Sequence, residues 1–386
     1  MTRWIAAAGA LVVSLDSMVN IAFPSMAAAF GMPPEAMRWV IVCYVGTYAL
    51  VSFAGGALAD KVGHPRVFSA GVALTAVGVV LSGAAATFPL HLVGRLVQGV
   101  AGGLVYGTAP GLITLAAGPE ARGRALGFLN VGIGVAFSAG PLVAGALIEA
   151  FGWRSVFYVR APLALAALAW ALVGLPPARV APGRRLVGLR RILSGGVLHP
   201  SALSFVANAG IFVVWLLAPF YLVGRRGLDA RAGGLFFMLT PLGTTLGAPL
   251  GGRLADRIGA RLPMAAGLAL EAAGLLLLSR AGPATSPVLV ALGLFAAGLG
   301  LGLFQVPNMA SVMAAFGREH QGAAGGLAFL ARTLGIVAGV LTLAQIFAAR
   351  RGPAGFDAAF GEAFVAAAAA VAAAALLALA ARRGGS

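Results

Sequence analysis

The 386-residue chain is 60% hydrophobic and only 10% charged, with a formal net charge of +16. Soluble domains carry about a quarter charged residues, so this composition excludes a water-coated fold and makes lipid the expected solvent. The single cysteine, Cys43, excludes an intrachain disulfide and any cysteine-built metal cluster.

Apolar runs near 4–26, 38–59, 65–86, 89–116, 123–149 and 153–174 predict six helices, and runs near 201–223, 232–254, 262–279, 287–315, 322–348 and 357–381 predict six more. Each approaches the roughly 20 residues needed to cross a hydrocarbon core. They lack the alternation of a lipid-facing barrel strand, which leaves helix as the spanning element. The first run is long and contains Asp16, unlike the short core of a cleavable signal, so it is expected to stay in the protein. The predicted fold is all-α integral membrane, twelve transmembrane helices as two six-helix bundles over 1–175 and 200–386, joined by a linker over 176–199. That linker, Pro176 to Arg185 and on to Arg190 and Arg191, reads as a cytoplasmic tether able to hold anionic lipid head groups.

With the N-terminus inside, sixteen Lys and Arg fall in cytoplasmic segments, eight outside and three (Arg95, Arg160 and Arg332) within spans. This two-to-one bias follows the positive-inside rule, so the basic total reads as an orientation signal and no nucleic-acid partner is expected. Both termini are then cytoplasmic.

The segment Gly56-Ala-Leu-Ala-Asp60-Lys61-Val-Gly63 returns as Gly252-Arg-Leu-Ala-Asp256-Arg257-Ile-Gly259, 196 positions later in a chain whose half is 193. Gly123, Gly127 and Gly140 are echoed by Gly322, Gly326 and Gly339. A duplicated helical membrane bundle is the architecture of many secondary transporters, and it sets the expected class of function. Abundant glycine in such spans allows close helix contact.

Asp16 lies 13 residues beyond Arg3, about 20 Å along a helix, near the membrane middle. An acid at that depth is costly, which makes it a functional candidate. Asn20 and Pro24 follow at i+4 and i+8, giving the first helix one polar, bendable stripe. In the fourth helix Gln98, Gly102 and Tyr106 share the side of Arg95, and in the fifth Asn130, Gly134, Ser138 and Pro141 share a face. Tyr44, Tyr48, Asn208, Trp215, Gln305 and Asn308 add the few polar and aromatic groups that suit a small amphipathic ligand. Glu271 reads as a protonated or snorkelling structural group, while Arg332 could pair with an acid or balance an anionic substrate. The four histidines are scattered without ligand spacing, and no nucleophile–base set stands out, so neither a metal site nor an enzyme is expected.

Several of these stretches together resemble the major facilitator superfamily. Gly56-x-Leu58-x-Asp60-Lys61-x-Gly63 is similar to its loop between helices 2 and 3, with His64-Pro65 where a basic pair is usual and Arg66 one place later. Arg95-x-x-Gln98-Gly99 resembles its helix 4 motif, and Gly140-Pro141-x-x-Ala144-Gly145 its antiporter motif. Leu15-Asp16-x-x-Val19-Asn20-Ile21-Ala22-x-Pro24, Trp39, Tyr44, Gly152-Trp153-Arg154 and Arg332-x-x-Gly335 resemble the fourteen-helix drug–proton antiporters. The two extra central helices of that branch are missing, and Arg160 stands where it usually has Asn.

The resemblance implies a proton-coupled exporter of small amphipathic compounds working by alternating access, and scarce lysine beside abundant Ala, Gly and Arg points to a bacterial inner membrane. It also implies that Arg95 can face Asp16, that the Asp60 and Asp256 loops act as conformational switches, and that the Gly-Pro kink favours exchange without leak. No cofactor is expected beyond the proton gradient, and the implied partners are a small-molecule substrate, protons and the lipid bilayer, with the chain a monomer. The alternatives are a symporter or importer of a metabolite and, more remotely, a non-transporting scaffold or sensor.

Overall fold

The computed structural model describes residues 1–117, 122–177, 195–316 and 321–380, and the described residues form helices and turns with no strand among them. Ten of these helices are long and apolar enough to cross a membrane. One of the ten, Gly326–Ala380, is a 55-residue run bent at Gly355, where φ is 79°. It therefore counts as two spans. Ala230–Phe237 and Leu239–Ile258 form a further passage that is less apolar, being rich in Gly and Thr and ending on Arg253, Asp256 and Arg257. This accounts for the twelve expected spans.

The first span departs from the single helix expected over 4–26. It consists of Thr2–Ser14, a 3-10 turn at Leu15–Ser17, a short turn of helix Met18–Ile21, and Phe23–Phe30. Pro24 sits in the first turn of that last piece, where its missing N–H breaks no hydrogen bond. Asp16 thus lies in a tightened turn between helical pieces. The next spans are Arg38–Val62, His64–Ala84, Phe88–Ala117 and Arg122–Phe151, followed by Ser155–Tyr158 and Arg160–Gly174. After residues outside the described set, Gly195–Pro219 ends in a π-helical turn, Phe220–Arg225. Arg261–Ser279, Pro287–Ala314 and Gln321–Ala380 complete the chain order.

The chain divides into two compact units, Met1–Arg185 with Leu228–Met238, and Leu186–Gly227 with Leu239–Ser386. Residues 178–194 of the expected tether lie outside the described residues. The first unit is centred on buried Ile5, Val13, Phe68, Val72, Val105 and Ile113.

In the second unit a ladder of glycines does comparable work. Gly243, Gly247 and Gly251, each four residues apart, face the backbone carbonyls of Phe295, Leu299 and Leu303. Gly298 and Gly302 on the partner helix face Thr240 and Thr244 in return. Without side chains between them the two helices meet backbone to backbone, the contact small residues permit in lipid.

The repeated loop motif has a conformational reason for its last glycine. Arg38–Val62 and His64–Ala84 are joined by the single residue Gly63, whose φ is 97°, and Gly259 has φ 82° in the second copy. L side chains rarely adopt such values. Gly63→Ala is therefore expected to cost about 1–3 kcal/mol, read as a lower melting temperature in detergent. Lys61 and Arg66 of this loop are solvent-exposed, and the side chain of Asp60 lies outside what is described.

Candidate functional site

Four spans of the first unit converge on Asp16. Arg95 grips it with two hydrogen bonds, Nη1 to Oδ1 at 2.6 Å and Nη2 to Oδ2 at 2.8 Å. The expectation that Arg95 faces Asp16 therefore holds in the geometry. Arg95 is held in turn by Nε donating to the carbonyl of Val40 at 3.1 Å and by the ring of Tyr44, 4.4 Å from the guanidinium carbon. A guanidinium over an aromatic face is attracted by the ring quadrupole, most strongly where water is absent.

A second arginine completes the cluster. Arg160 begins the helix Arg160–Gly174, and its Nη1 donates to Asp16 Oδ1 at 3.0 Å and to Gln98 Oε1 at 3.3 Å. Its Nη2 reaches the carbonyl of Val13 at 3.5 Å, while its buried Nε has no partner. Sequence reasoning noted Arg160 as an in-span cation and a departure from the resembled motif but did not place it at the site. The signal was the same one that marked Asp16 and Arg95, a charge at membrane depth; what it lacked was the face of its helix.

Gln98 is the hinge pin of the arrangement. Its Oε1 accepts from Arg95 at 3.0 Å, and its Nε2 donates to the carbonyl of Gly78 and to Ser82 Oγ at 3.2 and 2.6 Å. The close seat at Gly78 is needed because a Cβ there would press on Gln98. Ser82 also offers its carbonyl to His91 Nδ1 at 3.0 Å. Thus one amide links both arginines to the neighbouring helix His64–Ala84, and the polar atoms of a buried layer are nearly all satisfied, as burial requires.

Beside the ion cluster runs a tyrosine wall. Tyr44 and Tyr48 have ring centroids 5.4 Å apart, and Tyr48 and Tyr106 are separated by 5.9 Å. Tyr106 Oη lies 2.8 Å from Ser14 Oγ, whose own hydroxyl points to the carbonyl of Ala10 at 2.7 Å. Since that bond uses the only serine proton, Tyr106 is the donor to Ser14. Tyr106→Phe is expected to cost about 0.5–1.5 kcal/mol of stability, measured by thermal melting. Asp16 and Asn20 remain 9% and 8% exposed, and Tyr48 and Tyr106 are half-buried, so the cluster is not sealed.

The Gly-Pro motif holds the broken first span. A Cβ on Gly140 would overlap Ser17 Oγ, and Ser17 donates to the carbonyl of Ala136 at 3.2 Å. Pro141 lies inside the helix Arg122–Phe151, and Gly234 of the first unit's Ala230–Phe237 seats against its carbonyl. The side chain of Asn130 lies outside what is described.

The remaining expected site residues belong to the second unit. Asn208 is buried, its Nδ2 donating to the carbonyl of Ser204 at 2.8 Å and its Oδ1 unpartnered. Trp215 stacks on Phe212 at 5.8 Å. Asn308 is buried with Oδ1 unpartnered, Gln305 is half-buried, and Arg332 is half-buried with an unpartnered Nε. Gly252 faces only a methyl of Val306, while Asp256 and Arg257 end the helix before Gly259. Glu271 corrects the snorkelling alternative: it is fully buried, with both carboxylate oxygens unpartnered, and its Oε1 is directed toward Gly210. Among the described residues no group of three or more His, Cys, Asp or Glu is arranged to hold a metal ion.

Comparison with known proteins agrees with this architecture. The chain is 29% identical over 409 aligned positions to puromycin resistance protein pur8 of Streptomyces alboniger, covering 88% of this chain and 81% of that protein. It is 33% identical over 177 positions to the tetracenomycin C resistance and export protein of Streptomyces glaucescens, covering 45% of this chain. That second match spans only 32% of the relative's length, about a third. Among solved structures, a mutant of the nucleoside transporter NupG shares the fold at a TM-score of 0.79, with 13% identity over 98% of this chain and 99% of that one. The family model of the Major Facilitator Superfamily matches residues 5–340 and 201–384. With those matches laid over the duplicated helical spans and the buried Asp16 cluster, the chain belongs to the Major Facilitator Superfamily, and it is a multi-pass membrane protein.

Proposed function

We propose that the chain is a secondary exporter of small organic compounds, drugs among them, working by alternating access in a bacterial cell membrane with both termini cytoplasmic. The observation that carries this reading is the buried ion cluster of Asp16, Arg95 and Arg160 on spans of a superfamily member. Ionised groups at such depth are expensive and are kept where they serve a pathway or a coupling step. The resistance and export proteins among its relatives support the outward direction.

Asp16 and Arg95 are the coupling pair in this reading. The carboxylate exchanges between an arginine-bound form and a form that carries a proton, and the exchange is tied to the step that opens the carrier to the other side. The Gly63 and Gly259 turns, with Asp60, Lys61, Arg66, Asp256 and Arg257, are the switch loops, and the Gly140–Pro141 seat keeps the first span in register. The proton gradient supplies the energy, and the monomer is the working unit.

The test is compound accumulation in a bacterial host stripped of its own efflux pumps. Expression is expected to lower retained dye and raise tolerance to some toxic organic compounds, and a protonophore is expected to abolish both. Higher retention in expressing cells would show uptake and overturn the proposal.

A further inference from the structure

Two guanidiniums face one carboxylate in the Asp16 cluster. Among the described residues no second acid pairs with either arginine. One buried positive charge is therefore without a counter-charge, and it can be located. Arg95 spends its bonds on both oxygens of Asp16, on Val40 and on Gln98. Arg160 is only 1% exposed, shares Asp16 Oδ1 and Gln98 Oε1 with Arg95, makes one further contact at the limit of hydrogen-bond length, and leaves Nε unpartnered. A buried cation is kept only where something offsets it, because removing such a charge from water costs several kcal/mol that a shared oxygen does not return.

We infer that the missing counter-charge is the cargo: the exporter carries organic anions, and Arg160 is the residue that receives the anionic group. The inference rests on the export reading and deepens it. A carboxylate or phenolate is the chemistry an arginine fork matches, and the tyrosines 44, 48 and 106 beside it supply the aromatic wall that an aromatic acid would lie against. With the anion on Arg160 and Asp16 on Arg95, every charge in the layer has a partner. A cationic cargo would place a third positive charge against two guanidiniums and a single acid.

The experiment uses two dyes with the same ring system and opposite charge, fluorescein as the anion and rhodamine 123 as the cation, in the pump-deficient host. Cells expressing the full chain are expected to export fluorescein and to leave rhodamine 123 at the level of the empty host. Arg160→Gln, which removes the surplus charge and keeps the Asp16–Arg95 pair, is expected to slow fluorescein efflux about tenfold or more, the loss of one charge-assisted hydrogen bond. Arg160→Lys keeps the charge and is expected to restore part of the rate, which a purely structural role would not require. Variant abundance in the membrane is measured alongside; if Arg160→Gln fails to accumulate, the comparison of the two dyes on the wild type and on Arg160→Lys decides. Export of rhodamine 123 with fluorescein retained would overturn the anion assignment and leave the export reading standing. Wild-type fluorescein efflux by a well-expressed Arg160→Gln would overturn it too. If neither dye is exported, the anion assignment falls together with the export reading.

Discussion

Asp16→Asn is expected to lower the stability of the detergent-solubilised protein by about 3–5 kcal/mol, the cost of breaking a buried ion pair from one side. The substitution is nearly isosteric, so packing changes little. What changes is charge: two buried guanidiniums are left facing a neutral amide whose N–H groups cannot accept from them. The arginine substitutions sort the cluster further. Arg95→Gln is expected to cost nearly as much as Asp16→Asn, because it removes both bonds to the acid, the bond to Val40 and the contact with the Tyr44 ring. Arg160→Gln is expected to be close to neutral, since losing its shared bonds to Asp16 and Gln98 is offset by removing the second positive charge set against one carboxylate. The coupling energy between Asp16 and Arg95 in a double-mutant cycle should then exceed that between Asp16 and Arg160. Melting temperatures of the variants check the order, and equal effects of the two arginines would contradict it.

Gly247→Ala is expected to be a strongly damaging single-methyl change in the second unit, costing about 1–3 kcal/mol or preventing assembly. A Cβ at this position would collide with the carbonyl of Leu299 while Leu303 N stands at 3.0 Å and Gly302 Cα at 3.1 Å. All three are backbone atoms, so no side chain can turn aside and the helices Leu239–Ile258 and Pro287–Ala314 would have to separate. Gly252→Ala, one residue beyond the ladder and so on a different side of the helix, meets only Val306 Cγ1 at 3.3 Å and should be tolerated. Gly326→Ala has nothing within reach and, inside a helix, should gain up to about 1 kcal/mol from helix propensity. Purified yield and melting temperature of the three variants provide the comparison. Similar behaviour of all three would show that glycine here answers to composition rather than contact.

Much of this architecture is legible in the sequence itself. Span length and hydropathy located the helices because lipid imposes one length scale on all of them. The repeated loop showed the duplication, and its terminal glycines proved to be the residues that turn the chain with positive φ. Asp16 stood out because a lone acid at mid-span is expensive, and the Arg95-x-x-Gln98 spacing put the guanidinium and amide on one side of a helix, where they do bond.

Other features were not legible, for reasons of rotation and break. Arg160 joins Asp16 across 144 positions, and hydrophobic periodicity is too weak in a span apolar all round to say which face points inward. The 3-10 turn at Leu15–Ser17 left no mark beyond Pro24, eight residues on from Asp16. For Glu271 the sequence left a protonated and a snorkelling group both open, because hydropathy does not say which face of its helix is buried; the carboxyl is fully buried, which removes the snorkelling alternative.

The most direct measurement for the account as a whole is dye efflux from preloaded cells carrying wild type or Asp16→Asn at equal membrane abundance. Fluorescein is followed with the proton gradient intact and after a protonophore. Fast, gradient-dependent efflux is expected from the wild type and none above the empty host from the variant. Undiminished, gradient-dependent efflux by Asp16→Asn would contradict it, for then the buried acid would have no part in moving the cargo.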